Sequence, residues 1–348
     1  MKRYYPLVLI VMLGLTATLG ILPGCDELVT EENFYYDTHY DTFTIYEADS
    51  NCGLCHTDVT DSISIAKRQW AFSRHASDSL VGFEFLGQNT ATCGPECHTN
   101  EGFVDLHVDS VSTAVSFPTE IGCFTCHAPH TERDFSLRTA TLAVLEEGSF
   151  NRGNSNICAK CHMATLPPPI PGGLQVNVDS TWGPHFSVQA DMLLGVGGYE
   201  FFDPQTGANP HYLQIADGCL GCHQTPTDGF NLGGHSNNIV YDGMQLTEGC
   251  NASGCHSGTP ISDVFAAAAG QQDLIDSLAV LRALLETASL LNAEGRPVAG
   301  TVDPDTAGII YNYLFVSGDG SGGAHNLSYA RELVDSSLAR WREYEGLK

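Results

Sequence analysis

Basic side chains are the first scarcity: 15 Lys and Arg stand against 41 Asp and Glu in 348 residues, a formal charge of −26. That deficit excludes nucleic acid and an anionic lipid surface as partners, because both are bound through clustered cations. Basic proteins, metal ions and oxide surfaces suit the charge better. Lysine is nearly missing, with Lys2, Lys67, Lys160 and Lys348 alone, and methionine occurs five times. The acidic residues form no long run. The longest apolar run is Leu7–Ile21, fifteen residues behind Lys2 and Arg3. It falls short of the about 20 that a helical membrane span requires.

That basic start and short apolar run read instead as an export signal over residues 1–24. The run closes on Leu22-Pro23-Gly24-Cys25, which resembles a bacterial lipobox, where the cysteine is acylated and becomes the first mature residue. Pro23 departs from the favoured residue there, and a free thiol after ordinary cleavage is the alternative for Cys25. Removing Lys2 and Arg3 leaves the mature chain at −28. Several acyl chains would hold it at a membrane, whereas one chain binds marginally.

Beyond Cys25 the twelve remaining cysteines fall into six close pairs. Four read Cys-x-x-Cys-His: Cys52/Cys55/His56, Cys123/Cys126/His127, Cys158/Cys161/His162 and Cys219/Cys222/His223. Two are stretched, Cys93-Gly-Pro-Glu-Cys97-His98 and Cys250-Asn-Ala-Ser-Gly-Cys255-His256. From composition, about 0.5 Cys-His dipeptides would arise by chance, and the chain has six. The spacing has a chemical reason: two thiols bond the vinyl groups along one porphyrin edge, and the next residue turns its imidazole under the ring to the iron. Extra residues in the stretched pairs lengthen the arc, and Gly94 and Gly254 absorb unusual backbone angles. Six covalent haem c groups are therefore expected. Disulfides give no reason for a histidine after every second cysteine, and zinc sites need ligands returning at other spacings.

Fourteen histidines less six proximal ones leave His39, His75, His107, His130, His185, His211, His235 and His325. A distal ligand must bring its backbone close to a flat, bulky ring, which small or turn-forming neighbours permit. His75, His130, His185, His211, His235 and His325 have such neighbours, as in Gly183-Pro184-His185 and Gly233-Gly234-His235-Ser236. His107 and His39 are the spares, and either could replace one of the six. His130 follows His127 too closely to cross the same haem, so it is expected on a neighbouring one. Met163 adjoins His162 and cannot reach round its own ring; Met192 and Met244 are unneeded. Two imidazoles per iron imply low potentials.

The expected organisation is an extended tether over 25–50, a four-haem part over 51–166, a two-haem part over 167–260, and a helical C-terminal part over 261–348. The motifs recur at gaps of 41, 30, 35, 61 and 31 residues, too uneven for a solenoid. The longest gap holds Pro167-Pro168-Pro169-Ile170-Pro171-Gly172-Gly173, a stiff breaker that marks the boundary. Helical spacing covers Asp263–Asn292, Asp303–Phe315 and Asn326–Tyr344, with Gly318–Gly323 presenting His325. The fold class is mainly α with extensive loops and little sheet, organised by haem, the C-terminal helices packed on the haem stack.

The chain resembles the bacterial multihaem cytochromes c of dissimilatory and extracellular electron transfer. The resemblance rests on Cys97-His98-Thr-Asn-Glu-Gly-Phe103, Ile121-Gly-Cys-Phe-Thr-Cys-His-Ala-Pro-His130, Gly-Gly-His235-Ser and Ala-His325-Asn-Leu-Ser-Tyr329. The last segment is similar to the helical end of the ammonia-forming nitrite reductases. It implies an electron carrier in the periplasm or on an outer membrane, lipid-anchored, serving other redox proteins of the envelope or extracellular acceptors. Two rivals remain, a reductase of a small nitrogen or sulfur oxyanion and a subunit of a cytochrome filament. The reductases mark their open haem with lysine as proximal ligand, and no Cys-x-x-Cys-Lys occurs here, so no catalytic residue is assigned. For a filament, His39 is the residue to ligate a neighbouring subunit's haem.

Overall fold

The computed structural model describes residues 62–76, 84–85, 88–89, 94–109, 115, 119–201, 209–252, 255–256 and 258–346. The chain divides into two units, Met1–Ile65 and Ala66–Lys348. The signal and tether expected over 1–50, with Cys25, His39, Cys52, Cys55, His56 and Cys93, lie outside the described residues.

Most regular structure sits at the C-terminal end. Three helices pack on one another there: α1 (Gln271–Thr287), α2 (Pro304–Asp319) and α3 (Leu327–Gly346). Their existence follows the sequence spacing, but α1 starts eight residues later than expected. Asp263 there accepts a bond from the Phe265 amide in a turn, and Gly270 at φ 94° blocks helix until Gln271. At α2, Asp303 caps the first turn by accepting from the amides of Asp305 and Thr306, and Pro304 fills a position whose N–H would have no partner. Gly320 at φ 68° ends it.

Helix α2 is apolar nearly all round, with Ile309, Ile310, Tyr311, Leu314 and Phe315 buried. Leu281 and Leu285 of α1 and Tyr329, Leu333 and Val334 of α3 complete this core. Each such side chain contributes about 1.5–3 kcal/mol. The buried Asn312 is fully used: its Oδ1 accepts from the Tyr199 amide at 2.8 Å, and its Nδ2 donates to the Tyr199 carbonyl and Ser337 Oγ.

Elsewhere the described chain is loops, short helices of ten residues or fewer and two-stranded ribbons. Ala143–Leu145 pairs with Gly148–Phe150 over a small cluster with Ala159, Ala190 and Leu193. Val176–Val178, just past the proline run, pairs with Gly300–Val302 and ties that segment to the helical end. The fold is thus mainly helical with little sheet. Among the described residues no helix is long and apolar enough to cross a membrane.

Candidate functional site

Four of the cysteine motifs carry a short turn of helix, which suits two cysteines three apart and a following histidine. Pro95–His98, Cys123–Cys126, Asn156–Ala159 and Gly218–His223 are such turns. After Pro95–His98, Thr99 caps the helix Asn100–His107 by accepting from the Gly102 amide at 2.9 Å. A Cβ at Gly102 would lie 2.4 Å from the Pro95 carbonyl, so only glycine lets that helix close on the motif.

The other histidines arrive on separate supports. His75 lies in a 3₁₀ turn, Arg74–Ala76, just after the helix Ser62–Ala71. His185 sits at φ 70°, a left-handed conformation rare for a side chain of its size. His211 follows Asn209, which caps its short helix by accepting from the Tyr212 amide. The amide of His235 donates to Gln69 Oε1 at 3.0 Å. His325 is held by the turn between α2 and α3.

These residues meet in pairs. His75 faces His162 with ring centroids 6.2 Å apart, His98 faces His185 at 6.0 Å, and His127 faces His235 at 6.4 Å. His211 faces His256 at 6.2 Å and His223 faces His325 at 6.2 Å. Every pair joins one motif histidine to one isolated histidine. A metal–imidazole bond of about 2.0–2.1 Å plus roughly 1.1 Å from nitrogen to ring centre puts two rings on opposite sides of one ion about 6.2–6.4 Å apart. The gaps are of that size.

Hydrogen bonds orient the rings. Nδ1 of His162 contacts Gln189 Oε1 at 3.0 Å, Nδ1 of His127 the Ser136 carbonyl at 3.3 Å, and Nδ1 of His223 the Asn237 carbonyl at 2.8 Å. On the isolated partners, His211 Nδ1 contacts the Ala324 carbonyl at 2.9 Å, His185 Nδ1 contacts Ser187 Oγ at 3.4 Å, and His325 Nδ1 contacts Asp319 Oδ1 at 2.6 Å. Such contacts fix the tautomer and leave Nε2 to ligate.

Electrostatics favour the neutral, ligating form. Burial pushes His75 down to about 4, with the charge of His162 opposite it acting the same way, and burial pushes His223 to about 4. Burial also lowers His98, His162, His185 and His235. At His325 burial opposes the charge, but Asp319 outweighs it and holds the ring above its ordinary value.

Thiols of different motifs also touch. Cys97 hydrogen-bonds with Cys161, and Cys158 with Cys219. Cys126 lies within electrostatic reach of Cys158 and Cys161, and Cys222 within reach of Cys250 and Cys255. Among the described cysteines Cys97 thus neighbours 158/161, Cys158 neighbours Cys219, and Cys222 neighbours 250/255, with Cys126 beside 158/161. Burial pushes Cys126 and Cys222 up to about 11, so both thiols are neutral.

Two sequence candidates stand apart among the described residues. His130 is exposed and has Phe124 as ring neighbour at 6.1 Å. His107 packs on Phe103 at 4.8 Å, and its buried Nε2 has no hydrogen-bond partner. Sequence reasoning missed Asp319, Gln189 and Asn237, the side chains and carbonyl that steer the rings. Asp319 alone had a local signal, six residues before His325 at the head of the glycine-rich loop.

Each gap offers two nitrogens, and among the described residues no three His, Cys, Asp or Glu side chains gather as ligands for a bare ion. A zinc ion would need four protein ligands or three and water. The donor set suits an ion that brings four in-plane ligands of its own, as porphyrin does, with a cysteine pair at hand for each edge.

A mainly helical scaffold that carries paired imidazoles beside its helical core has a cytochrome-like fold. Among solved structures the chain is similar to the outer cell wall cytochrome OcwA, at 20% identity and a TM-score of 0.50. The match covers 78% of this chain and 49% of that one, so the chain spans about half of its length. No family model and no curated protein matches.

Proposed function

We propose that the chain is an electron-transfer protein of the cell envelope, carrying covalent haem at its six Cys-His motifs. The observation that carries this reading is the set of five imidazole pairs, 6.0–6.4 Å apart, each uniting one motif histidine with one isolated histidine. Haem supplies a one-electron iron couple when bound, and two imidazoles hold that couple at low potential. His56, His98, His127, His162, His223 and His256 are the proximal ligands. His75, His185, His211, His235 and His325 are the distal ones for the described sites, and His130 is the sixth distal candidate.

The polypeptide's part is positional. Its hydrogen bonds at Nδ1 turn Nε2 of His127, His162, His185, His211, His223 and His325 towards their gaps, and burial favours the neutral, ligating form of His75, His98, His162, His185, His223 and His235. Electrons pass between neighbouring motifs, from Cys97 to 158/161, from there to 219/222 and on to 250/255, with 123/126 as a side branch at 158/161. An acidic surface favours basic redox proteins or metal oxides as exchange partners, and lipid on Cys25 holds the protein at a membrane. No residue is assigned to substrate chemistry, because both sides of each described gap are taken by an imidazole.

Electron paramagnetic resonance of the oxidised protein, with its haem counted by pyridine haemochrome and intact mass, tests the reading. Six haems giving only low-spin signals are expected. A strong high-spin signal means an open iron, and it would replace the carrier with a reductase.

A further inference from the structure

The five pairs are not chemically alike. Where a ring Nδ1 has a partner among the described residues, that partner is neutral in every case but one: an amide oxygen at His162, a hydroxyl at His185, and backbone carbonyls at His127, His211 and His223. The exception is His325, whose Nδ1 lies 2.6 Å from the carboxylate of Asp319. That carboxylate is buried, its side chain 2% exposed, at the last residue of α2. The Ser321 hydroxyl and amide both donate to its other oxygen, so its aim is fixed.

We propose that Asp319 is a tuning residue that makes the His223/His325 site the lowest in potential of the five described. This rests on the reading of the pairs as haem ligands. Nδ1–H donating to a carboxylate gives the ring part of the character of an imidazolate, a stronger donor that favours the ferric over the ferrous iron. The buried negative charge acts in the same direction, since it stabilises the more positive oxidation state. Nδ1 keeps its proton in both states, so reduction by a low-potential chemical reductant such as dithionite adds one electron and moves no proton. Among the described motifs the site lies between 158/161, through Cys219, and 250/255, through Cys222. An electron passing from one of these neighbours to the other by way of this site climbs there.

The test is Asp319→Asn in the haem-loaded full chain, read by potentiometric titration and by the low-spin resonance spectrum. Asparagine keeps shape and an acceptor oxygen but removes the charge. One haem is expected to become at least tenfold easier to reduce, about 59 mV for a one-electron couple, and one low-spin signal to shift its g-values while the others stay put. Ser321→Ala is the second variant. It frees the carboxylate of a donor, strengthens its pull on Nδ1, and is expected to shift the same haem about threefold in the opposite direction. Unchanged potentials in Asp319→Asn with full haem content overturn the inference, and if that variant does not fold, an unchanged or upward shift in Ser321→Ala does so. A wild-type chain without covalent haem overturns the underlying reading instead.

Discussion

His185→Gly isolates ligation from folding better than any other substitution at the pairs. His185 sits at φ 70°, where a side chain costs about 1–2 kcal/mol relative to glycine. Glycine loses roughly 0.5–1 kcal/mol through the greater freedom of its unfolded chain. The two terms nearly cancel, so the backbone itself is neutral to the exchange within about 1 kcal/mol. The imidazole has two further contacts to lose, a long one of 3.4 Å to the Ser187 hydroxyl and an edge contact with the Phe186 ring at 6.0 Å between centroids. What remains is the proposed ligation across the 6.0 Å gap to His98. The oxidised variant is expected to show one high-spin iron in six, with haem content unchanged, and added imidazole should restore the low-spin spectrum. His185→Ala, which bears the same backbone cost as His185 itself, should give the same spectrum at a stability within about 1 kcal/mol of the glycine variant. A His185→Gly protein with full haem content and no high-spin signal would refute the assignment of His98 and His185 to one iron.

Burial raises Asp191 from 3.8 to about 6, so the folded chain holds a proton that the unfolded chain releases. Stability is therefore fully present below about pH 4, falls as pH rises to about 6, and is level above; Asp191→Asn should remove that fall and gain about 2 kcal/mol at pH 7 in denaturant titrations. Gly308→Ala would set a Cβ 2.3 Å from the Tyr199 ring, and thermal melts should show a loss of about 1–3 kcal/mol. Cys25→Ser should shift the protein from the membrane to the soluble fraction on cell fractionation; retention in the membrane would exclude the lipid anchor.

The readable parts of this chain were those whose information is local. A Cys-His motif fits in one helical turn, and α2 declares itself through Asp303, Pro304 and an apolar run. The onset of α1 was misjudged because Ala266, Ala267, Ala268 and Ala269 look helical, while Gly270 and the Asp263 turn override propensity. Which histidine faces which was out of reach. Small neighbours mark a residue able to approach a ring, but the partners stand 45 residues apart at His211 and His256 and 108 apart at His127 and His235. Nor did any local pattern foretell the acceptors at Nδ1, since Gln189 and Asn237 are ordinary polar residues until the fold delivers them.

Those long separations also govern how the pairing can be reached. Closing a loop of 108 rather than 45 residues costs less than about 1 kcal/mol more, so loop length alone hardly ranks the final pairs. Time does. A chain made from its N-terminus offers His75 before the 158/161 motif exists, whereas His185, His235 and His325 appear after the motif histidines they face. When His127 is first available, His235 is 108 residues from being made, while His75 is already present and His130 is three residues away. On the proposed ligation, haem attached early meets imidazoles other than its final partner, and each such pairing would have to be undone by ligand exchange. Maturation is thus a sorting problem, and its yield is set by the order in which imidazoles become available.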